Sequence, residues 1–290
     1  MTSLRLAAGC VMAAVLAACA NAPVTGRNQF MLVSESDAIN ASAQAYTEVL
    51  KKEQGKIERS SALESRVKAI TGRLVAQGVE FRPETAQWKW EVVVIDEPKT
   101  LNAWAMAGGK MAIYTGIVDT LRLSDDEIAQ IMGHEIAHAL AKHTAERMSV
   151  ASAQQIGLQM ASVFLGTGSL TSQMALQAAA IATTVGVQLP NSRQQEAEAD
   201  RIGIELAARA GYDPNAAVSL WKKMVQATGQ TGKSDWLSTH PAGERRIESL
   251  AALVPKMMPY YEDKSPRPSH PVALRHIIDG TWLAGLQAFH

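Results

Sequence analysis

The chain is poor in cysteine, in aromatic residues and in net charge. It has two cysteines in 290 residues, Cys10 and Cys19. Cys10 falls in a stretch that reads as a removable leader, so a single thiol is expected to remain, with no intramolecular disulfide to staple the fold. Twenty-eight basic residues balance 28 acidic ones, and a chain of zero net charge lacks the electrostatic footprint of a nucleic-acid binder. Aromatics are 5% of the residues while hydrophobics are 47%. Ala and Met are plentiful instead, which suits a helix-rich fold, and the length suffices for one large or two small domains with a real core. There is no internal repeat. Residues 150–189 are almost uncharged, yet Gln154, Gln155, Gln159, Thr171, Ser172, Gln173 and Gln177 break every apolar run. No stretch of about 20 apolar residues, the length a spanning helix needs, survives there.

The first residues read as an address. Residues 1–18 carry Arg5 and then an Ala-, Val- and Leu-rich stretch, the pattern of a signal peptide. It ends in Leu16-Ala17-Ala18-Cys19, which looks like a bacterial lipobox. That likeness implies cleavage before Cys19 and lipidation of its sulfur. With Ala20 following, it also implies a periplasmic location, lipid-anchored to the outer membrane of a Gram-negative bacterium. Residues 19–33 then read as a lipidated tether, 34–255 as the main domain and 256–290 as a Pro-rich segment and tail.

What the chain does contain is the run His134-Glu135-Ile136-Ala137-His138. Two histidines four apart share one helix face, about 40° apart in projection, and can grip one Zn²⁺ together. The glutamate beside the first points into the same cleft and can take a proton from water that the ion polarises. The surroundings support a real helix. Ser124 and Glu127 form a capping box, and Asp125 and Asp126 suit the positive end of the helix dipole. Ile128, Ile131, Met132, Ile136 and Ala139 make the helix apolar and therefore buried, and polar residues in that setting need partners. His143 lies nine residues from His134, about 180° round a continuous helix, and reads as an exposed or helix-end histidine. Ala141 and Thr144 occupy the positions where the long metzincin pattern needs glycine and histidine, which excludes that class.

A catalytic zinc takes three protein ligands and a water. The best source of the third is the run from Ser192 to Asp200. Glu196 and Asp200 share a helix face there, and Asp200 is placed to hold a ligating histidine by its far ring nitrogen. Glu198 is the rival ligand, rotated roughly 200° from Glu196. The helix ends at Gly211, and Asp213-Pro214 opens the next.

These motifs together resemble the M48 family of zinc metallopeptidases, which includes the CAAX prenyl endopeptidases and the HtpX-type proteases, and most of all its soluble, lipoprotein-anchored bacterial branch. Ser192, Arg193, Glu196, Ala199 and Asp200 match the family's S-R-x-x-E-x-x-A-D. Asn102-Ala103-Trp104-Ala105 with Gly108-Gly109 is similar to its N-A-x-A-x-x-G-G segment. Ser238-Thr239-His240-Pro241 with Arg246-Ile247 is similar to its T-H-P-x-x-x-x-R-I segment. The likeness covers residues 20 to 255. It implies that His134, His138 and Glu196 bind one zinc and that Glu135 is the general base. It places His240 near the zinc, either as a donor to the transition state or as a fourth ligand that plugs the site at rest. Arg246 is then expected to steady a nearby carboxylate or the developing oxyanion.

The remaining elements are read from pattern. Residues 35–78 are helical in period, with Ser36 as a cap. Residues 90–95 and 110–115 read as strands, with Gly108-Gly109 as a turn between them. The second strand is expected to edge the cleft and pair with an extended substrate, with Asn102, Gly108 and Gly109 at the binding surface. His240 is read at a helix start, before Pro241. Residues 150–189 read as two helices around Gly166-Thr167-Gly168, either a packed hairpin, a lid over the cleft or a surface touching membrane or partners. Pro255, Pro259, Pro266, Pro268 and Pro271 mark an extended region, and the last residues dock onto the core or a partner.

The expected fold is α+β and predominantly helical, zincin-like, with a small β-sheet beside the metal helix. The expected function is a zinc-dependent endopeptidase of the bacterial cell envelope that degrades unfolded or misassembled envelope proteins, tied to the membrane by its lipid anchor and binding no nucleic acid. The alternatives are a chaperone-like outer-membrane assembly lipoprotein with a latent, self-plugged protease site, and a peptidase confined to small peptides.

Overall fold

The computed structural model describes residues 19–58, 61–165, 189–231, 235–240, 244–278 and 281–284. It is α+β and mostly helical. A hairpin of β1 (Cys19–Asn21) and β2 (Asn28–Phe30) comes first, followed by α1 (Glu35–Lys52) and α2 (Ala62–Phe81). The strands β3 (Glu91–Ile95), β4 (Ala103–Met106) and β5 (Lys110–Tyr114) precede α3 (Thr115–Leu121), α4 (Asp125–Leu140) and α5 (His143–Leu165). After them come α6 (Leu189–Arg209), α7 (Asn215–Thr231), the short α8 (Asp235–Thr239), α9 (Glu244–Glu262), β6 (Ala273–Ile278) and β7 (Thr281–Ala284). The signal peptide read over 1–18 and the turn Gly166-Thr167-Gly168 lie outside the described residues. Among the described residues, no helix is long and apolar enough to cross a membrane.

Local chemistry starts each helix. Ser34, two residues ahead of the expected Ser36, accepts a hydrogen bond from Asp37 N–H and caps α1. Ser61 does the same for α2 through Glu64 N–H. On α4 both halves of the Ser124–Glu127 capping box are formed, which satisfies donors that a helix start leaves open. Glu127 then reaches beyond its own helix, accepting from Ser219 Oγ at 2.7 Å and pairing with Lys223 at 2.6 Å, so the cap also fastens α7.

The larger sheet has the order β4-β5-β3-β6-β7. β3 runs parallel to β5, with Glu91 opposite Lys110 and Ile95 opposite Tyr114. Being interior, β3 is buried along its whole length, which is why it reads as a continuous apolar run. β4 runs antiparallel to β5 and forms the sheet's edge. The main core lies between this sheet and α2, α4 and α6, filled by Leu74, Val92, Met111, Ile128, Ile131, Met132, Ile136, Ile202 and Leu206. At the crossing of α4 and α6 two glycines meet. A Cβ on Gly203 would lie 2.7 Å from His134 N, and one on Gly133 would lie 2.9 Å from Gly203 O. Backbone therefore touches backbone there, and the two helices approach more closely than side chains would allow.

The two ends of the chain depart from expectation. Residues 19–33 are no free tether: β1 and β2 pair, and buried Gln29 donates to Ala141 O at 2.7 Å. The Pro-rich region begins later than expected, because α9 runs through Pro255 and Pro259. Both prolines are exposed, so water can satisfy the carbonyls they leave unbonded. Leu250 and Met257 on the other side are buried and hold the helix down. The extended stretch that follows is fastened by Arg267, which donates to Arg209 O and Tyr260 O, each at 2.9 Å. It leads into β6, which joins β3 in parallel with Ala273 opposite Glu91. Ala273 and Leu274 thus dock on the core as part of a strand.

Candidate metal centre

His134 and His138 leave α4 one turn apart, and their Nε2 atoms lie 3.1 Å from each other. Glu196 reaches in from α6, with Oε2 3.3 Å from His134 Nε2 and Oε1 3.3 Å from His138 Nε2. His240 brings Nδ1 to 3.2 Å from His134 Nε2 and 2.9 Å from Glu196 Oε2. All four side chains are buried, and their ligand atoms lie within 4.8 Å of one another. A tetrahedral zinc with bonds near 2.0–2.2 Å spaces its ligand atoms about 3.4 Å apart. The triangle of His134, His138 and Glu196 has the right size and the right donors for one such ion, and His240 stands at the fourth corner.

The outer atoms of the histidines argue for a cation too. His134 Nδ1 lies 3.0 Å from Asp200 Oδ1, so a proton on Nδ1 is held there and Nε2 is the atom that faces the other ligands. Bare nitrogens and a carboxylate converging in a buried space repel one another unless a cation sits among them. The same negative potential shows in acidity. Burial works against a proton on His134, but Asp200 and Glu196 outweigh it and raise this group to about 9. Burial drives His138 well below the ordinary histidine value, against the pull of Glu196. Burial alone would raise the Glu196 carboxyl, yet His134, His138 and His240 hold it far below the usual carboxylate range. A site that attracts a proton so strongly attracts a divalent cation in its place.

Around this centre sit residues that orient its members. Arg246 grips Asp200 through Nε at 2.8 Å and Nη2 at 2.7 Å, and lies 3.1 Å from Glu196 Oε2. Its guanidinium also lies 3.7 Å from the centre of the Trp221 ring. Of its two expected roles, the structure places Arg246 on the carboxylates. Glu135 is buried beside the ligands and accepts a hydrogen bond from Trp236 Nε1 at 2.8 Å. Trp236 is fully buried and stacks on Trp221 with ring centroids 5.0 Å apart. It has no place in the sequence reading: a lone tryptophan before the Ser-Thr-His-Pro segment carries no spacing signal.

Several expectations change. His143 is neither exposed nor turned away. α4 stops at Leu140, Lys142 takes a left-handed φ of 59°, and a new helix starts at His143. The change of direction turns His143 back until its Nδ1 lies 2.8 Å from His138 Nδ1. A rotation of 180° between His134 and His143 holds only for one unbroken helix, and the turn at Lys142 breaks it. Glu198, the rival ligand, points elsewhere, with Oε2 3.1 Å from His143 Nε2. His240 follows α8, with its N–H bonded to Trp236 O at 2.8 Å, so it closes a short helix, and the expected helix position of Pro241 lies outside the described residues.

The expected docking strand is also displaced. β5 lies inside the sheet, paired on both sides, and offers no edge. Gly108 and Gly109 take φ of 81° and 79° to make the tight turn into it. A Cβ at Gly109 would lie 2.6 Å from the Trp90 ring and one at Gly108 2.9 Å from Ile39, so internal packing accounts for both. The edge belongs to β4, just after Asn102, whose Oδ1 accepts from Ala103 N–H at 2.9 Å. The preceding residue, Leu101, accepts from Trp236 N–H at 3.0 Å, which ties the start of β4 to the residue holding Glu135.

A model of peptidase family M48 matches residues 61–254. The "Mitochondrial metalloendopeptidase OMA1" of Saccharomyces cerevisiae is 30% identical over 253 residues, covering 83% of this chain and 70% of that protein. The protein of the same name from Schizosaccharomyces pombe is 38% identical over 169 residues, covering 58% of this chain and 48% of its own. The "Beta-barrel assembly-enhancing protease" of Escherichia coli is 31% identical over 166 residues, covering 55% of this chain and 33% of its own. The chain spans about half the length of most of the curated relatives it matches. None of these relatives bears a CAAX prenyl endopeptidase or HtpX name, so the likeness holds at the level of the family. The expected periplasmic, outer-membrane location is overturned: relatives from yeasts, a plant and vertebrates are mitochondrial by name.

Proposed function

The chain belongs to peptidase family M48, and from that premise we propose that it is a zinc-dependent endopeptidase acting on unfolded or misassembled proteins. The observation that carries this reading is the buried triangle of His134, His138 and Glu196 with Glu135 beside it. When bound, zinc polarises the scissile carbonyl and acidifies the attacking water. Glu135 takes the proton from that water and returns it to the nitrogen of the leaving amine. Trp236 fixes one oxygen of Glu135, which leaves the other to face the reacting atoms. Asp200 holds the proton of His134 on Nδ1, and Arg246 holds Asp200. The free edge of β4 is the surface on which an extended chain docks, since backbone pairing accepts many sequences, as a protease of unfolded proteins requires.

Glu135→Gln keeps the shape of the site and removes the base. The expected outcome is unchanged zinc content and at least a hundredfold slower casein digestion, the order that general-base catalysis contributes. Digestion at the parental rate by a pure preparation of the variant refutes the mechanism.

One contact favours a second reading, of a latent enzyme that also binds proteins in a chaperone-like way. His240 Nδ1 stands 2.9 Å from Glu196 Oε2, at the corner a catalytic water would take. A plug there predicts that His240→Ala digests casein faster than the parent. A donor to the transition state predicts slower digestion at equal zinc content. For the cellular role, a Glu135→Gln chain that fully replaces the parent in a deletion strain would establish that binding, not cutting, is the function.

A further inference from the structure

The two zinc histidines are held in different ways, and the difference leads to the N-terminal hairpin. His134 is held directly, its Nδ1 3.0 Å from Asp200, which Arg246 grips in turn. For His138 no carboxylate among the described residues is in reach of Nδ1; the atom it meets is His143 Nδ1, at 2.8 Å. His143 Nε2 lies 3.1 Å from Glu198 Oε2. Arg27 Nε donates to the same Glu198 oxygen at 2.7 Å, and its Nη1 and Nη2 donate to Glu146 at 2.8 and 2.6 Å. Thr25 Oγ1 donates to the other oxygen of Glu198.

Proton positions along this chain are dictated by what each atom faces. Glu198, paired with Arg27, is an ionised acceptor, so His143 Nε2 carries a hydrogen and donates to it. A His143 so arranged and neutral has a bare Nδ1. That atom accepts from His138 Nδ1–H, and the His138 proton is then confined to Nδ1. The lone pair of His138 Nε2 is left pointing at the ion position, the only tautomer able to bind a metal there. The opposite arrangement, with the proton on Nε2, would close the site. His143 is fully buried and Glu146 nearly so, which shields the inner end of the relay from solvent, while Arg27 at its outer end is 20% exposed.

We propose that Arg27, Glu198 and His143 form a positioning relay that sets the tautomer of His138, so that the hairpin over residues 19–30 is a working part of the metal centre. The hairpin carries little else that would explain its polar residues: Arg27 and Gln29 both turn inward, Gln29 Nε2 lying 3.2 Å from Glu146 Oε2. The inference rests on the zinc reading and adds that displacing the N-terminal segment loosens the metal.

The test uses the full chain, with zinc affinity measured by competition with a chromophoric chelator and a cobalt-loaded sample for its absorption spectrum. His143→Phe preserves bulk and removes the relay. It is expected to weaken zinc binding ten- to a hundredfold, the usual effect of losing a ligand's supporting partner, and to alter the cobalt spectrum. His143→Gln, whose amide can accept from His138 and donate to Glu198, is expected to restore most of the affinity. Arg27→Gln changes a partly exposed residue outside the ligand set and is expected to weaken zinc binding about tenfold in a protein that still folds without metal, at a melting temperature lowered by the lost ion pairs. If the Phe variant does not fold, Arg27→Gln decides. Zinc affinity and cobalt spectrum at parental values in Arg27→Gln overturn the relay, as does a Gln variant no better than a folded Phe variant. A parent that binds no zinc would instead overturn the function proposed above.

Discussion

At the scale of single residues, the centre separates into groups that meet the ion and groups that hold those groups still. The first kind was legible from spacing. A spacing of four from His134 to His138, and of four from Glu196 to Asp200, places each pair on one helix face whatever the rest of the chain does. The second kind was not. Trp236 and His143 act across element boundaries, and no periodicity within one helix reports on the other side of a turn. Lys142, with its left-handed φ, is where the reading of His143 went astray. The hydrogen bond from Trp236 to Glu135 has a consequence that can be measured. Trp236→Phe keeps an aromatic ring on Trp221 and removes the donor together with the five-membered ring that carries it. A hydrogen bond to a charged group is worth about 1.5–3 kcal/mol, so kcat on a quenched peptide should fall roughly tenfold. Zinc content should stay at the parental value; a variant with unchanged kcat would show that Glu135 is oriented by its other neighbours.

At the scale of elements, the decisive features are the crossing of α4 with α6 and the free side of β4. Gly133 and Gly203 let the two helices close to backbone contact, which brings Glu196 onto the histidines. Glycine inside a helical pattern was the available signal, and its partner 70 residues away was what one-dimensional pattern could not supply. The strands were legible as apolar runs at 90–95 and 110–115, but their order in the sheet was not, because pairing depends on contacts distant in sequence. β4 passed unrecognised in the motif Asn102-Ala103-Trp104-Ala105. Tyr114 N–H bonds Asn102 O at 3.1 Å, and in the register that pairs Trp104 with Ala112 alternate residues bond β5. Ala105 therefore turns its N–H toward the free edge. Ala105→Pro deletes that donor without breaking a bond to β5. If substrate docks there, KM for a protein substrate should rise several-fold at parental zinc content. Unchanged KM would place the docking surface elsewhere.

At the scale of the whole molecule, acid should loosen the fold from the hairpin side. Burial would raise the Glu198 carboxyl, yet His143, Thr25 and Arg27 outweigh it and hold it at about 2 against an ordinary 4.5. A carboxyl depressed in the folded state stabilises that state above its unfolded value, and the contribution is lost as pH falls from about 4.5 toward 2. Urea midpoints of the metal-free protein should therefore drop across that window, and the drop should shrink in Glu198→Gln. Equal pH dependence in the two proteins would show that the pairing adds nothing to stability. Composition conveyed the class of this fold, since low aromatic and high alanine content favour helices. It conveyed nothing about the closure of its ends, because the hairpin at residue 27 and the strand at residue 273 are fixed by partners more than a hundred residues away.

That long-range closure bears on how the protein is made. The run from His134 to His138 leaves the ribosome early, but Glu196, His240 and Arg246 emerge 58 to 108 residues after His138, and β3 gains its second neighbour only when Ala273 and Leu274 appear. A partly synthesised chain carries two imidazoles and a base with no third ligand to seat an ion and no completed sheet to support them. Assembly of the proposed peptidase centre therefore waits until late in synthesis, when Glu196, His240 and Arg246 have joined the two histidines.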